Sequence, residues 1–307
     1  MLTSTLVRPS YRPYRVEVAA IERVSSTFTR VTFTGPDLDV FGVDGLDQRI
    51  KLVLPLPGRG FSDFGIDDEE THLEGTWYAR WRELPDDLRN PIRTYTVRRI
   101  DADSRRLDVD FALHGETGPA STWVSRAAVG DPLVIVGPDS RSPLSHEGIE
   151  FKPGIATRVL FAGDETAVPA ICAILENLPA SISAHAILEV PHADDALTVV
   201  AHPGVSTRWI ARNGARAGEL LAPAVRDWYA AECGGVFASA DDTVEPDTDE
   251  MLWETPVEDP HEGLYVWIAG ESSMIKLIRR YLVRDCGIDR RQVAFMGYWR
   301  EGSAEAS

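Results

Sequence analysis

Hydrophobic positions recur with a period of two through the first half of the chain, and gather into short solid runs in the second. A period of two marks a strand with one buried face. It predicts strands over 14–21, 28–33, 49–54, 93–99, 107–113 and 133–136, separated by Gly, Pro and Asp clusters. Six short strands with one helix, over 119–128, predict a small antiparallel barrel. From residue 158 the rhythm changes. Strand-like runs at 158–162, 182–190, 198–201, 206–212, 264–269 and 292–296 alternate with helical patterns at 166–178, 218–232 and 272–286. That alternation predicts a parallel sheet with covered faces, whose ligands sit beyond the carboxyl ends of its strands. The stretch after Pro138 is polar and proline-bearing. The expected organisation is a β-barrel domain over 1–140, a linker over 141–157 and an α/β domain over 158–307.

Composition narrows the function. The 307 residues are 44% hydrophobic, ordinary for a globular chain. The first residues hold no apolar run long enough for a signal peptide, and no stretch reaches the length of a membrane span. Cys172, Cys233 and Cys286 form neither a CxxC pair nor a disulfide framework, so a reducing cytoplasm is expected. A monomer is expected. The net charge of −17 argues against nucleic acid as a partner. Ten acids lie in 239–262 and six in 63–74, with no Lys or Arg in either. The rest of the chain is close to neutral, and both segments read as solvated loops.

The candidate chemistry begins with Arg93-Thr94-Tyr95-Thr96-Val97-Arg98-Arg99, followed by Gly118-Pro119-Ala120-Ser121. Arg93 offers a planar fork for phosphate oxygens and Tyr95 an aromatic surface. The Thr96 hydroxyl suits a heteroatom on a ring edge. Gly118 admits close backbone approach, Pro119 suits a first helical position, and the amides at a helix start suit a diphosphate. Taken alone the strand reads as a barrel edge with solvated arginines. With the Gly-Pro turn it describes a cradle for a flat ring bearing a diphosphate. Two later strands end alike, in Ala162-Gly163-Asp164-Glu165-Thr166 and Ala269-Gly270-Glu271-Ser272. Their glycines and hydroxyls serve either a ligand or ordinary helix capping. Neither is a GxGxxG turn. No His, Cys and carboxylate cluster has metal-ligand spacing, so no metal site is expected.

These residues resemble the siderophore-interacting proteins, flavin-dependent ferric-siderophore reductases of the ferredoxin-reductase-like superfamily. The matches include Arg93-Thr-Tyr-Thr-Val-Arg98, Asp110-Phe111 with His114-Gly115, Gly118-Pro-Ala-Ser121 with Trp123, and Gly163-Asp-Glu-Thr-Ala167. They end with Trp267-Ile-Ala-Gly-Glu271 and Gly297-Tyr-Trp-Arg-Glu-Gly302. The resemblance implies an FAD-binding barrel followed by an NAD(P)H-binding domain. It implies that Arg93, Tyr95 and Thr96 hold FAD, with Tyr95 and Thr96 at the reacting ring. Arg98, His114, Gly118, Ala120 and Ser121 would meet the ribose and diphosphate. Gly163, Asp164, Glu165, Thr166, Gly270 and Glu271 would receive the nicotinamide dinucleotide. Lys51 matches a basic position that holds the ferric siderophore, with Arg300 as a second member of that patch.

The expected reaction is a relay from NADPH or NADH through FAD to chelated Fe(III). Many ferric siderophores are anionic, so a −17 protein needs local positive charge to attract one. Read alone, Lys51 is as readily a snorkelling strand lysine. Arg208, Arg212 and Arg216 are candidates for a 2′-phosphate. Two other readings stand beside this one: a general flavin reductase with ferredoxin as electron partner, and a non-catalytic flavin-bound siderophore carrier or sensor.

Overall fold

A computed structural model describes residues 7–113, 118–234, 252–256 and 262–302. The chain divides between Ile149 and Glu150 into two units.

The first unit holds β1 (Tyr11–Arg23), β2 (Phe28–Thr34), β3 (Arg49–Val53), α1 (Glu69–Glu74), α2 (Trp77–Glu83), β4 (Ile92–Thr96), β5 (Arg99–Asp101), β6 (Arg106–Ala112), α3 (Pro119–Val124) and β7 (Pro132–Pro138). All seven strands join one antiparallel sheet in the order β4-β3-β7-β1-β2-β6-β5. The run expected as one strand over 93–99 is two strands, which makes seven rather than six. The cause is a change of partner. Val97 N donates to Gln48 O beside β3, and Arg98 N donates to Asp108 O on β6, each at 2.9 Å. The two edges of the sheet are therefore joined through this one segment.

Alternation along β3 places Ile50 and Leu52 in the inner core with Val16, Phe33, Val109 and Phe111. Val53 points outward, into a second core with Phe64, Ile66, Trp81, Val134 and Val136. Two short helices beyond the single one expected, α1 and α2, supply part of that outer cover. The acidic segment 63–74, expected as a solvated loop, is in part helical and partly neutralised. Asp68 caps α1 and meets Arg80 at 2.8 Å, while Asp67 takes a two-pronged contact from Arg15. Its acids lack basic neighbours in sequence and find them in space.

The second unit holds β8 (Arg158–Gly163), α4 (Val168–Asn177), β9 (Ser183–Val190), β10 (Val205–Ala211), α5 (Leu221–Cys233), β11 (Trp253–Glu254), β12 (Leu264–Glu271), α6 (Ser272–Arg279) and β13 (Val293–Trp299). Its sheet runs β10-β9-β8-β12-β13-β11, parallel except for β11. Helices α5 and α6 pack over Leu160, Ala162, Ile187, Val266 and Ile268. The strand expected at 198–201 does not form. The helix expected over 272–286 ends at Arg279 and widens into a π-turn over Arg280–Asp285, closed by Cys286 N donating to Tyr281 O at 2.9 Å. The segment read as a linker, 141–157, buries Ser142, Ile149, Phe151 and Ala156. Most of the acidic insert 239–262 lies outside the described residues. Its part at 252–256 forms β11, held by Glu254 to Arg279 at 2.7 Å and by Gly297 N to Leu252 O at 2.7 Å.

Candidate functional site

In the first unit, packing unites the strand and the Gly-Pro turn. Tyr95 on β4 meets Phe111 on β6 at 4.5 Å between ring centroids, and Phe111 meets Trp123 on α3 at 6.5 Å. Trp123 also stacks on Phe33 at 6.2 Å. Phe111 is wholly buried and bridges the two motifs. Rings in such offset and tilted pairs hold one another in orientation.

Gly118 stands at the N-cap of α3 in extended backbone, which any residue adopts. A Cβ there would meet nothing within 4 Å among the described residues. The glycine thus leaves open space in front of the first helical amides. Thr122 N closes the first turn onto Gly118 O at 2.9 Å, so the amides of Ala120 and Ser121 precede that bond. The Ala120 side chain is buried in the core. His114 lies outside the described residues. An aromatic wall, an adjacent arginine and unfilled space over a helix start fit a ring with a diphosphate.

Two arginines differ from their simple reading. Arg98 has only a tenth of its side chain exposed and lies 3.4 Å from Asp110. Asp110 is itself buried and gripped by Arg30 at 2.7 and 2.8 Å. Arg93 is half-buried and donates to Ile92 O at 2.7 Å.

The outer face of the β3–β4 pair carries the candidate acceptor residues. In the ladder Lys51 lies opposite Thr94 and Arg49 opposite Thr96. Opposed residues share a face, and so do residues two apart. Lys51, Thr94 and Thr96 therefore lie on one face, while Tyr95 and Arg93 lie on the other with Ile50 and Leu52. Lys51 Nζ donates to Thr94 Oγ1 at 2.6 Å. Two residues on from Thr94, Thr96 stands on the same face as the ammonium.

In the second unit the strand-end motifs come together, but their carboxylates turn inward. Asp164 is wholly buried. It accepts hydrogen bonds from Thr166 N at 2.9 Å, Thr166 Oγ1 at 2.5 Å, Glu271 N at 2.7 Å and Trp299 Nε1 at 2.9 Å. Burial, with the neighbouring Glu165 charge, pushes its carboxyl up to about 6. Glu165 is buried and ion-paired with Arg212, whose Nη2 lies 2.5 Å from Oε1. Hydrogen bonding to Glu165 holds Arg212 protonated still more firmly than usual. Glu271 caps α6, accepting from Ser273 N at 2.7 Å and Met274 N at 2.9 Å. Gly270 has φ +144, and a Cβ there would sit 2.6 Å from Asp164 Oδ2. Of the six residues expected here, Thr166 keeps partial exposure, and the backbone of Gly163 and Gly270 lines the strand ends.

Sequence reasoning missed Glu189. It is a single acid in the apolar run of β9, wholly buried, and it accepts from Gly218 N at 2.6 Å, Leu220 N at 3.0 Å and Leu221 N at 3.1 Å. An acid inside a buried run was the available signal, since a buried charge demands partners. Also missed was Trp253, 40% exposed, which stacks on Tyr298 at 6.0 Å. Among the described residues no group of three His, Cys, Asp or Glu is placed to hold a metal ion, and no helix is long and apolar enough to cross a membrane.

Two family models match the chain. Residues 17–142 match the siderophore-interacting FAD-binding domain, and residues 156–302 match the siderophore-interacting protein model. The chain is 29% identical to the ferric vibriobactin reductase ViuB of Vibrio cholerae over 92% of its own length and 87% of that protein. It is 31% identical to an uncharacterised protein of Mycobacterium tuberculosis over 94% of this chain and 90% of that one. Among solved structures, the siderophore-interacting protein SipS of Aeromonas hydrophila aligns with a TM-score of 0.67 at 29% identity, covering 97% of this chain and 95% of that one. A lower likeness, TM-score 0.58 at 13% identity, to the ferredoxin reductase in carbazole 1,9a-dioxygenase covers 94% of this chain and 70% of that one, and shows the shared fold alone.

Proposed function

The chain belongs to the siderophore-interacting protein family, an FAD-binding family with ferric-siderophore reductases among its members, and from that membership we propose that it is an NAD(P)H:ferric-siderophore oxidoreductase. In this reading it works as a cytoplasmic monomer. The observation that supports the reading is the pairing of β3 with β4, where Lys51 and Thr96 share one face of the sheet and Tyr95 lies on the other. FAD, when bound, supplies the conversion of a two-electron hydride donor into single electrons for iron. The chain's own residues do the rest. Arg93 and the amides at the start of α3 hold the diphosphate, Gly118 leaves it room, and Thr96 hydrogen-bonds the ring edge. Lys51 attracts an anionic chelate to a protein whose net charge is −17. Reduction converts chelated Fe(III) to Fe(II), a softer partner for hard oxygen ligands, and the chelate loosens.

The donor is NADPH or NADH, bound beyond the ends of β8 and β12. With Arg212 committed to Glu165, Arg208 and Arg216 are the arginines proposed for a 2′-phosphate. The test is direct. The purified protein is expected to carry flavin colour, which anaerobic NADH or NADPH bleaches. Adding a ferric siderophore with a ferrous trap is then expected to restore the flavin and develop trap colour. Bleaching without reoxidation by any chelate in a panel would refute the ferric-reductase reading. A Lys51→Ala variant is expected to raise the apparent KM for anionic chelates, and an unchanged KM removes Lys51 from the site.

A further inference from the structure

The parallel strands of the second unit lie in the order β10-β9-β8-β12-β13, so the first three in sequence run outward from the centre and the fourth lies on the other side of the first. In sheets wound this way a dinucleotide lies across the carboxyl ends of the strands. The 2′ position of its adenosine ribose is read near the end of the second strand, by an acid where it bears a hydroxyl and by an arginine where it bears a phosphate. The second strand is β9, which ends at Val190.

That end is fastened to the loop that follows β10. Arg212 N donates to Val190 O at 2.9 Å, and Asn213 N donates to Pro191 O at 3.0 Å. Asn213 and Gly214 turn the chain through left-handed backbone, at φ +47 and +95, and Ala215 N closes the turn onto Arg212 O at 3.0 Å. Arg216 N donates to Glu219 Oε2 at 3.2 Å. Beyond it, Gly218 N, Leu220 N and Leu221 N all donate to Glu189. Three consecutive residues, Glu189, Val190 and Pro191, thus grip the loop on both sides of Arg216. Its backbone is held to the end of β9, while its side chain is exposed and makes no hydrogen bond or ion pair among the described residues.

The neighbouring charges are committed elsewhere. Arg212 is paired with Glu165. Arg208 stands opposite Ile187 in the middle of β10, on the face that Ile210 turns toward α5, and about 10 Å short of the strand end. Its charge acts there on His185, which burial and then Arg208 pull below the ordinary imidazole range. Asp195 is buried and accepts from His192 N at 3.0 Å, and Asp194 is engaged within the fold.

We infer that the donor is NADPH and that Arg216 reads its 2′-phosphate at the end of β9. This rests on the reading of the second unit as the nicotinamide dinucleotide site. A 2′-phosphate carries close to two negative charges near neutral pH, and a guanidinium takes its oxygens through charge-assisted hydrogen bonds. NADH offers Arg216 nothing to hold.

The experiment is calorimetric titration of the flavin-loaded protein with adenosine 2′,5′-bisphosphate and with 5′-AMP, which differ by the 2′-phosphate alone. The wild type is expected to bind the bisphosphate more tightly, on the order of tenfold. Arg216→Ala is expected to lose most of that preference while 5′-AMP stays within about twofold, and Arg216→Lys to keep part of it. Arg208→Ala is expected to change neither. Equal binding of the two fragments by the wild type overturns the inference. So does an Arg216→Ala loss shared equally by both, or a loss of preference that falls on Arg208→Ala instead. An Asp194→Asn loss confined to 5′-AMP also overturns it, since that marks a ribose hydroxyl and NADH. Where the fragments bind too weakly to titrate, the half-saturating concentrations of NADPH and NADH for anaerobic flavin bleaching give the same comparison. Bleaching by NADH alone, followed by iron reduction, fails this inference and leaves the ferric-reductase reading standing. A preference for the 2′-phosphate that depends on Arg216, with no chelate reduced, does the reverse. Bleaching by neither nucleotide, with neither fragment bound, fails both.

Discussion

Removing the Arg212 guanidinium would leave two buried carboxylates side by side. Glu165 has 1% of its side chain exposed and Arg212 12%, and two nitrogens of the guanidinium face both carboxylate oxygens. Asp164, next in sequence, is wholly buried and already raised toward neutrality. Breaking a buried pair from one side strands a charge, at a cost of about 3–5 kcal/mol. For a unit of this size that corresponds to roughly 10 °C in Tm. We therefore expect Arg212→Ala to lower the thermal midpoint by that amount. The loss should be shared by the apo protein and by the protein loaded with either nucleotide.

The first unit supplies the control. Arg15 grips Asp67 with the same two-pronged geometry, at 2.6 and 2.7 Å, but the two side chains are 50% and 67% exposed. Solvent screening reduces such a pair to well under about 1 kcal/mol. Arg15→Ala is expected to shift Tm by no more than a few degrees. A Glu165→Gln/Arg212→Met protein, which removes both charges, is expected to recover much of the loss. Differential scanning calorimetry of the four proteins decides the matter. The reasoning is refuted if Arg212→Ala is as mild as Arg15→Ala, or if its main effect is a selective loss of NADPH affinity. The second result would return Arg212 to the nucleotide phosphate.

Three further outcomes follow from single residues. Gly118→Ala should leave the apo protein as stable or slightly more so, by about 0.4–1 kcal/mol, because its backbone suits any residue and its Cβ meets no described atom; flavin content after purification should fall, and unchanged content would mean the space over Gly118 is not used. Glu189→Ala should cost at least about 3 kcal/mol, since three amides at the start of α5 lose their acceptor; Glu189→Gln should be milder, and hydrogen exchange should locate the loss in that turn. Asp164, raised to about 6 by burial, binds its proton more tightly folded than unfolded, so its contribution to stability is full below about pH 4 and is lost as the pH rises through 6; urea titrations at pH 5 and 7 should show a loss on the order of 1 kcal/mol in the wild type that Asp164→Asn lacks.

Much of the fold was legible because its signals are local. Alternation places Ile50, Leu52, Val109 and Phe111 in one core without knowledge of their partners. The break at Val97 was not legible, because it depends on which strands lie to either side of the segment. The outer core beneath α2 was hidden for a related reason. Ile66 lies in an acidic stretch and Trp81 between two arginines, and neither marks a core until Val53, Val134 and Val136 meet them. At the candidate site the motifs could be found from their letters, but the direction of each side chain could not. Lys51 and Tyr95 leave opposite faces of adjacent strands, a fact set by register.

The strand-end carboxylates make the physical cost of that blindness plain. Three acids at the mouth of a parallel sheet would repel the phosphates of any dinucleotide bound there, and the chain already carries a charge of −17. The structure removes the repulsion at each acid by a different means. Glu165 is neutralised by Arg212, Glu271 is spent on capping α6, and Asp164 is buried under donors from Thr166, Glu271 and Trp299. Two of these solutions need a residue distant in sequence, and one needs Gly270 to keep a Cβ off Asp164. The acids of these motifs therefore act as internal fasteners.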